Sequence, residues 1–564
     1  MTLEERIYSE EYEDLIVRSF YLDPFRNPSP EISGNFYELN AQFSALFLHQ
    51  SLLQENQFGD VPYNSVPRLY TPLSTVSLEN SGILQVQTQL ALQLTGNGVV
   101  IGFVDTGIDY THPAFRNSDG TTRIISIWDQ TDRKGKKPSL FPYGTEYTEN
   151  EINEALLLEN PYEKVPVNDP EGHGTFIAGV ASGSADEPQG FTGAAPDAGI
   201  IVVKLKPAKQ YLRDFFYVSR NATAFQENDI LSGIRYLTET ADRMKKPLVI
   251  CIALGSNQGS RTASLPLPVT LERLGQIQGI TPVLAAGNEA GRFHHCSGSV
   301  TSLDSPSNVE ILVPKGSPGF TMELWGQAPQ LFSVGFRSPA GETIPRIPVS
   351  LSAESRIPFI LEQTVIHLKY DIVTVSGQQL IIIRFENPTD GIWNLQIYGS
   401  QEIRREYNIW LPVTGFSDPD ITFLTPDPYT TLTNPSSPDS IITTGAYQAS
   451  TQSLYVHSGR GYTADNDIKP DFVSPGVNVT GPGPSGTYLE RTGTSAAAAL
   501  ASGAAALLIQ WGLQQTPPVY FTTRELKLYL IRGARRESDL SYPNKEWGYG
   551  ILDLYNTFLS MMTT

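Results

Sequence analysis

The chain has 564 residues, too many for one ordinary domain and enough for two or three. A formal charge of −19 disfavours binding to nucleic-acid phosphates, while 40% apolar residues with 10% aromatics support true cores. Two cysteines, Cys251 and Cys296, are too few for a disulfide framework.

Residues 1–75 are acidic and aromatic, with short mixed segments. The start, Met1-Thr2-Leu3-Glu4-Glu5-Arg6, has no charged region followed by an apolar one, so no secretory leader is expected. Val99-Val100-Ile101-Gly102-Phe103-Val104-Asp105 reads as a buried parallel strand that ends on a carboxylate. Residues 117–169 are polar and turn-rich, and they read as a surface excursion with one helix over 149–158. Gly172-His173-Gly174-Thr175 then opens an apolar helix, and the glycines let other groups approach the ring. Strands are predicted at 200–205, 248–254 and 280–285, with a helix over 224–244. Cys251 lies in the second of these strands and reads as an inert buried thiol. The alternation predicts an α/β domain, a parallel sheet with helices on both faces.

That rhythm stops over residues 297–427. Short strands at 309–313, 320–325, 365–368, 379–385 and 393–398 replace it, separated by turns such as Asn387-Pro388 and Asp390-Gly391. The pattern predicts an inserted β-sandwich, jelly-roll-like. Near the end, Gly493-Thr494-Ser495-Ala496-Ala497-Ala498-Ala499 opens a small-residue run that reaches Leu508. It is apolar all round, as a buried core helix is. Ser502 and Gly503 interrupt it, and it is shorter than the roughly 18 apolar residues of a membrane span.

Three of these segments carry reactive side chains. Asp105 ends a strand, where catalytic groups of α/β sheets gather. Ser495 opens a helix, whose positive end favours developing negative charge. Each residue has a plainer reading alone: a turn aspartate, a helix-start histidine, an N-cap serine. Together, in the chain order Asp, His, Ser, they resemble the subtilisin family of serine proteases. Asp105-Thr106-Gly107, His173-Gly174-Thr175 and Gly493-Thr494-Ser495 match its three signatures, and Ala285-Ala286-Gly287-Asn288-Glu289 matches a fourth. The resemblance covers residues 75–295 and 430–555.

The resemblance implies a catalytic triad of Asp105, His173 and Ser495, with Asn288 donating to the oxyanion. It also implies a substrate pocket flanked by Ala253-Leu254-Gly255 and Ala285-Ala286-Gly287, with Thr433 in its floor. None of these carries a charge, which argues against a strong preference for Lys or Arg next to the scissile bond. Residues 1–75 would be a propeptide, cut by the protein itself between Leu69 and Thr75. Residues 76–296 and 428–564 would form the catalytic domain around the 297–427 insertion. Two departures stand out. Ala499 replaces the family's proline, and alanine keeps the helix intact. Ala114 replaces a calcium-ligating aspartate of many secreted relatives, so no metal is expected, and no cofactor.

The inserted β-domain, the long Asp105–His173 spacing, and the ending Trp547-Gly548-Tyr549-Gly550 are similar to the Csp subtilisins of spore-forming clostridia. These act in spore germination. That resemblance implies limited proteolysis of a spore cortex-hydrolase precursor, and a cytoplasmic or spore-associated location. Two other readings stay open: a general intracellular subtilisin-like peptidase, and a pseudoprotease that binds or signals. The intact triad is the feature that weighs against the last.

Overall fold

Six strands lie side by side and parallel at the centre of the molecule. In spatial order they are Ile442–Gln448, Ile280–Ala285, Leu248–Ile252, Val100–Asp105, Gly199–Lys204 and Ile124–Asp129. Phe472–Pro475 adds a parallel strand beside Ile442–Gln448, and Thr145–Thr148 closes the far edge antiparallel. Strands covered on both faces need continuous apolar runs. Val100–Asp105 and Leu248–Ile252 are buried along their whole length. This computed structural model describes residues 1–19, 35–52, 61–72, 81–89, 92–301, 305–327, 331–350, 354–373, 376–400, 405–418 and 420–562.

On one face of the sheet lie helices His173–Ser182 and Thr494–Leu513, packed on each other. Thr494–Leu513 is long and apolar enough to cross a membrane, with mean hydropathy 1.6, but 89% of that window is buried in the fold. On the other face lie helices Glu227–Met244 and Pro266–Gly275. The excursion expected over 117–169 is not purely superficial. Its apolar run Ile124-Ile125-Ser126-Ile127-Trp128 forms an inner strand of the sheet, and Trp128 is fully buried. The helix expected after it spans Glu149–Leu156.

The N-terminal segment forms a helix, Leu3–Tyr8, and an antiparallel sheet ordered Tyr12–Arg18, Phe43–His49, Phe36–Glu38. Ile16, Tyr37, Phe43 and Phe47 share one core with Ile230, Leu231 and Ile234 of helix Glu227–Met244. A buried polar contact fixes the register between them. Lys209 Nζ donates to Asp14 Oδ1 at 2.5 Å, and the Gln226 and Asn228 amides each donate to Asp14 Oδ2 at 3.1 Å.

Between His295 and Phe423 two antiparallel sheets lie face to face. One is ordered His295–Val300, Arg405–Trp410, Gly319–Gly326, Gln378–Glu386, Val365–Val373, Ser355–Pro358. The other is ordered Thr343–Ile347, Ser333–Arg337, Gly391–Tyr398, Ser307–Val313, Thr422–Phe423. Phe320, Ile381 and Phe385 of the first meet Ile311, Phe336 and Trp393 of the second in one core. The predicted strands recur here, with six more among the described residues that the sequence pattern did not show. This unit is tied to the central one. Arg261 lies over the Trp410 ring at 4.4 Å, and Arg384 Nε donates to Phe215 O at 2.8 Å.

Candidate active site

Asp105 sits at the carboxyl end of its strand and His173 is the first residue of its helix. Gly172, with φ 68°, makes the turn into that helix, a backbone conformation that favours glycine. Gly174 is needed for proximity: a Cβ there would lie 2.2 Å from Gly107 O. The helix start therefore packs directly on the Asp105 turn. His173 Nδ1 lies 2.7 Å from Asp105 Oδ1, and Nε2 lies 3.3 Å from Ser495 Oγ. All three side chains are buried. The Ser495 hydroxyl has one proton and two acceptors in reach, the other being Ala253 O at 3.1 Å. A nucleophile–base distance slightly beyond 3.2 Å is ordinary in a resting site.

Asn288 follows the strand Ile280–Ala285 and reaches the same helix terminus. Its Oδ1 accepts from Thr494 N at 3.0 Å and from Thr494 Oγ1 at 3.1 Å. With Oδ1 so committed, Nδ2 is the end left to donate to a ligand. The expected pocket residues converge as well. Thr433 N donates to Ala286 O at 2.9 Å. A Cβ on Gly287 would meet Thr433 Cγ2 at 2.5 Å, so the pocket floor rests on the Ala285-Ala286-Gly287 wall. The opposite wall, Leu254–Gly255, carries a strand partner from the N-terminal segment. Leu254 pairs with Pro72 and Gly255 with Thr71, antiparallel. On its other side the same strand, Leu69–Pro72, pairs with Phe225–Gln226. Thus the N-terminal segment lies in the groove that leads to Ser495. The end of the expected cleavage window, residues 73–75, lies outside the described residues, as does the 75/76 boundary.

Sequence reasoning missed the groups that brace these residues. Asp169 is buried and accepts from Thr106 Oγ1 at 2.7 Å, Gly172 N at 3.1 Å, and Thr175 N and Oγ1, each at 2.8 Å. It joins the Asp105 turn to the His173 helix. Its only sequence signal is its place four residues before His173, in Asp169-Pro170-Glu171-Gly172. Glu289 braces the other side, accepting from His294 Nδ1 at 2.8 Å and Asn257 Nδ2 at 3.0 Å. Burial would raise its carboxyl, but His294 and Thr414 hold it below its usual range. Cys251 is as inert as its surroundings suggest, its thiol pushed up to about 12 by burial. Among the described residues no group of three or more His, Cys, Asp or Glu converges to hold a metal.

The comparisons agree with this geometry. Residues 96–336 and 425–550 match the subtilase family of peptidases, and the chain belongs to that family. The CspB protease of Clostridium perfringens superposes with a TM-score of 0.76 at 30% identity, over 86% of this chain and 98% of that one. The C5a peptidase of Streptococcus pyogenes is 24% identical over 454 residues, 75% of this chain and 35% of its own length. The PII-type proteinase of Lacticaseibacillus paracasei is 25% identical over 255 residues, 43% of this chain and 12% of its own. The chain thus spans about a third or less of the length of these curated relatives.

Proposed function

We propose that the chain is a serine endopeptidase. The observation that carries this is the relay from Asp105 through His173 to Ser495, with a peptide strand already in the adjoining groove. Ser495 Oγ attacks the scissile carbonyl while His173 Nε2 takes its proton and later gives it to the leaving amine. Asp105 holds the ring through Nδ1 and stabilises the imidazolium. The oxyanion forms at the start of helix Thr494–Leu513, where Asn288 Nδ2 and the Ser495 N–H donate to it. A serine-directed phosphonate tests the reading. Wild-type protein should gain one adduct at Ser495 and Ser495→Ala none; equal labelling of the two would refute it.

The finer reading is limited proteolysis of a spore cortex-hydrolase precursor during germination, in the cytoplasm or spore. The likeness to the clostridial CspB protease supports it. Residues 1–75 act as the propeptide, and the hold of Leu69–Pro72 on the groove supports that role. Incubation with recombinant cortex-hydrolase precursors and with a general protein mixture separates the readings. One cut in the precursor and none in the mixture favours the germination role; broad digestion favours a general peptidase.

A further inference from the structure

The N-terminal segment does more than fill the groove with Leu69–Pro72. Upstream of that strand, two of its side chains enter buried carboxylates of the rest of the protein. Arg68 is 1% exposed and donates through NH1 to Glu227 Oε2 at 2.9 Å. Its backbone N–H reaches the same oxygen at 3.3 Å, and its C=O accepts from Glu227 N at 2.9 Å. Tyr63 is 4% exposed and donates its hydroxyl to Glu323 Oε1 at 2.6 Å. Glu227 opens helix Glu227–Met244, whereas Glu323 belongs to the inserted sandwich.

Each carboxylate is divided in the same way. Glu227 Oε1 accepts from Leu267 N at 3.0 Å, and Glu323 Oε2 accepts from Gly259 N at 2.8 Å and Trp325 Nε1 at 3.0 Å. One oxygen of each is thus satisfied within the body of the protein. Among the described residues, the other oxygen is served by the N-terminal segment alone. When that segment leaves, both buried oxygens lose their donors, which is costly for a charged acceptor. A polypeptide with donors at the same spacing restores them. The two side chains are also coupled: Arg68 NH2 donates to Tyr63 O at 2.9 Å, and its guanidinium lies 4.5 Å from the Tyr63 ring centre. The segment is further held at its backbone, where Tyr63 N donates to Asp371 Oδ2 at 3.2 Å and Lys369 Nζ to Val61 O at 3.1 Å.

We propose that Glu227 and Glu323 form an upstream recognition site for protein substrates. Its ligand is an unfolded segment with a tyrosine and, five residues later, an arginine, ahead of the scissile bond. The inference rests on the endopeptidase reading. It gives the inserted sandwich a direct part in substrate choice, beside a pocket whose walls carry no charge. Tyrosine brings the hydroxyl donor that Glu323 needs, and arginine brings a fixed planar fork matched to a carboxylate. Both sites are narrow and buried, so the segment has to be unfolded to enter.

The test uses carrier proteins with residues 61–80 of this chain as a linker, in three forms: native, Arg68→Ala and Tyr63→Phe. They are incubated with the full-length enzyme and with its Glu227→Gln and Glu323→Gln variants, and each enzyme is read by its own ratio of kcat/KM values. The wild type should cut the native linker at least tenfold better than either altered one. In Glu227→Gln the preference for arginine should fall below threefold while that for tyrosine persists; Glu323→Gln should show the reverse. Equal cutting of all linkers by the wild type overturns the proposal, as does a preference that survives in the matching variant. Phosphonate labelling of Ser495 without cutting of any linker overturns it too, while leaving the catalytic reading intact. Absence of both labelling and cutting removes the endopeptidase reading, and this proposal with it.

Discussion

The Thr494 hydroxyl accepts from Gly287 N at 3.1 Å and donates to Asn288 Oδ1 at 3.1 Å. One small side chain thereby fixes both the pocket wall and the amide that faces the oxyanion. Removing the amide with Asn288→Ala should lower kcat by about 10²–10³ and leave KM little changed. Thr494→Val keeps the shape and the backbone N–H bond to Asn288 but removes the hydroxyl's bonds to Asn288 and Gly287, and should cost on the order of tenfold in kcat. Steady-state kinetics on a peptide amide check both, and an unaltered kcat in Asn288→Ala would contradict the oxyanion role.

Asp169 is the second test of the scaffold. Four donors from the Asp105 turn and the His173 helix meet on its two oxygens. Asp169→Ala strands them in a buried site and should lower the unfolding free energy by about 3 kcal/mol or more. Asp169→Asn keeps one acceptor and should lose less. Urea unfolding in a Ser495→Ala background, where self-digestion is silent, measures both. A loss under about 1 kcal/mol in Asp169→Ala would remove its bracing role.

Glu13 gives the fold a pH dependence of known sign. It is fully buried, and among the described residues neither carboxylate oxygen has a hydrogen-bond partner. Burial pushes its carboxyl up to about 7, the Asp14 charge adds to this, and Lys209 opposes it. In the unfolded chain the group titrates near its ordinary 4.5. Between those values the native state keeps a proton that the unfolded state has released. Stability from this group is therefore present at low pH and lost as pH rises through about 7. Glu13→Gln removes that loss. Its gain in Tm over the parent should grow from about pH 5 to about pH 8, both in the Ser495→Ala background. A gain that does not change with pH would contradict this.

Much of the site is legible in the sequence because its reactive groups sit at element ends beside glycines. Asp105, His173, Ser495 and Asn288 each stand in a short local pattern, and local patterns survive without a structure. Thr494 and Glu289 stand in those same patterns, but their bracing contacts do not show there, and the role of Asp169 emerges only when it meets Thr106, far away in the chain. The same holds for Arg68 with Glu227 and Tyr63 with Glu323, where each pair meets only after the domains close. For the fold, four of the parallel strands announce themselves as apolar runs, whereas Ile442–Gln448, with Thr443, Thr444 and Gly445 inside it, does not. Ile124–Asp129 escapes notice because it lies inside a stretch that is otherwise polar and turn-rich, and its place between Gly199–Lys204 and Thr145–Thr148 makes it an inner strand. In the sandwich, Thr343–Ile347 escapes notice because Pro345 and Arg346 break its alternation, and much of it is exposed.

The central claim is that Ser495 cleaves peptide bonds, and the chain carries its own substrate. Leu69–Pro72 is paired on both sides in the groove, with Leu69 and Tyr70 buried, and the cut is expected between Leu69 and Thr75. A tethered segment has a high effective concentration, and even a slow enzyme cuts it once. Intact-mass measurement of denatured wild-type and Ser495→Ala protein decides the matter. Wild type should give two fragments, one of roughly seventy residues if the cut falls in that interval, and Ser495→Ala a single full-length chain. Identical fragments from both proteins, or an uncut wild type, would contradict the claim.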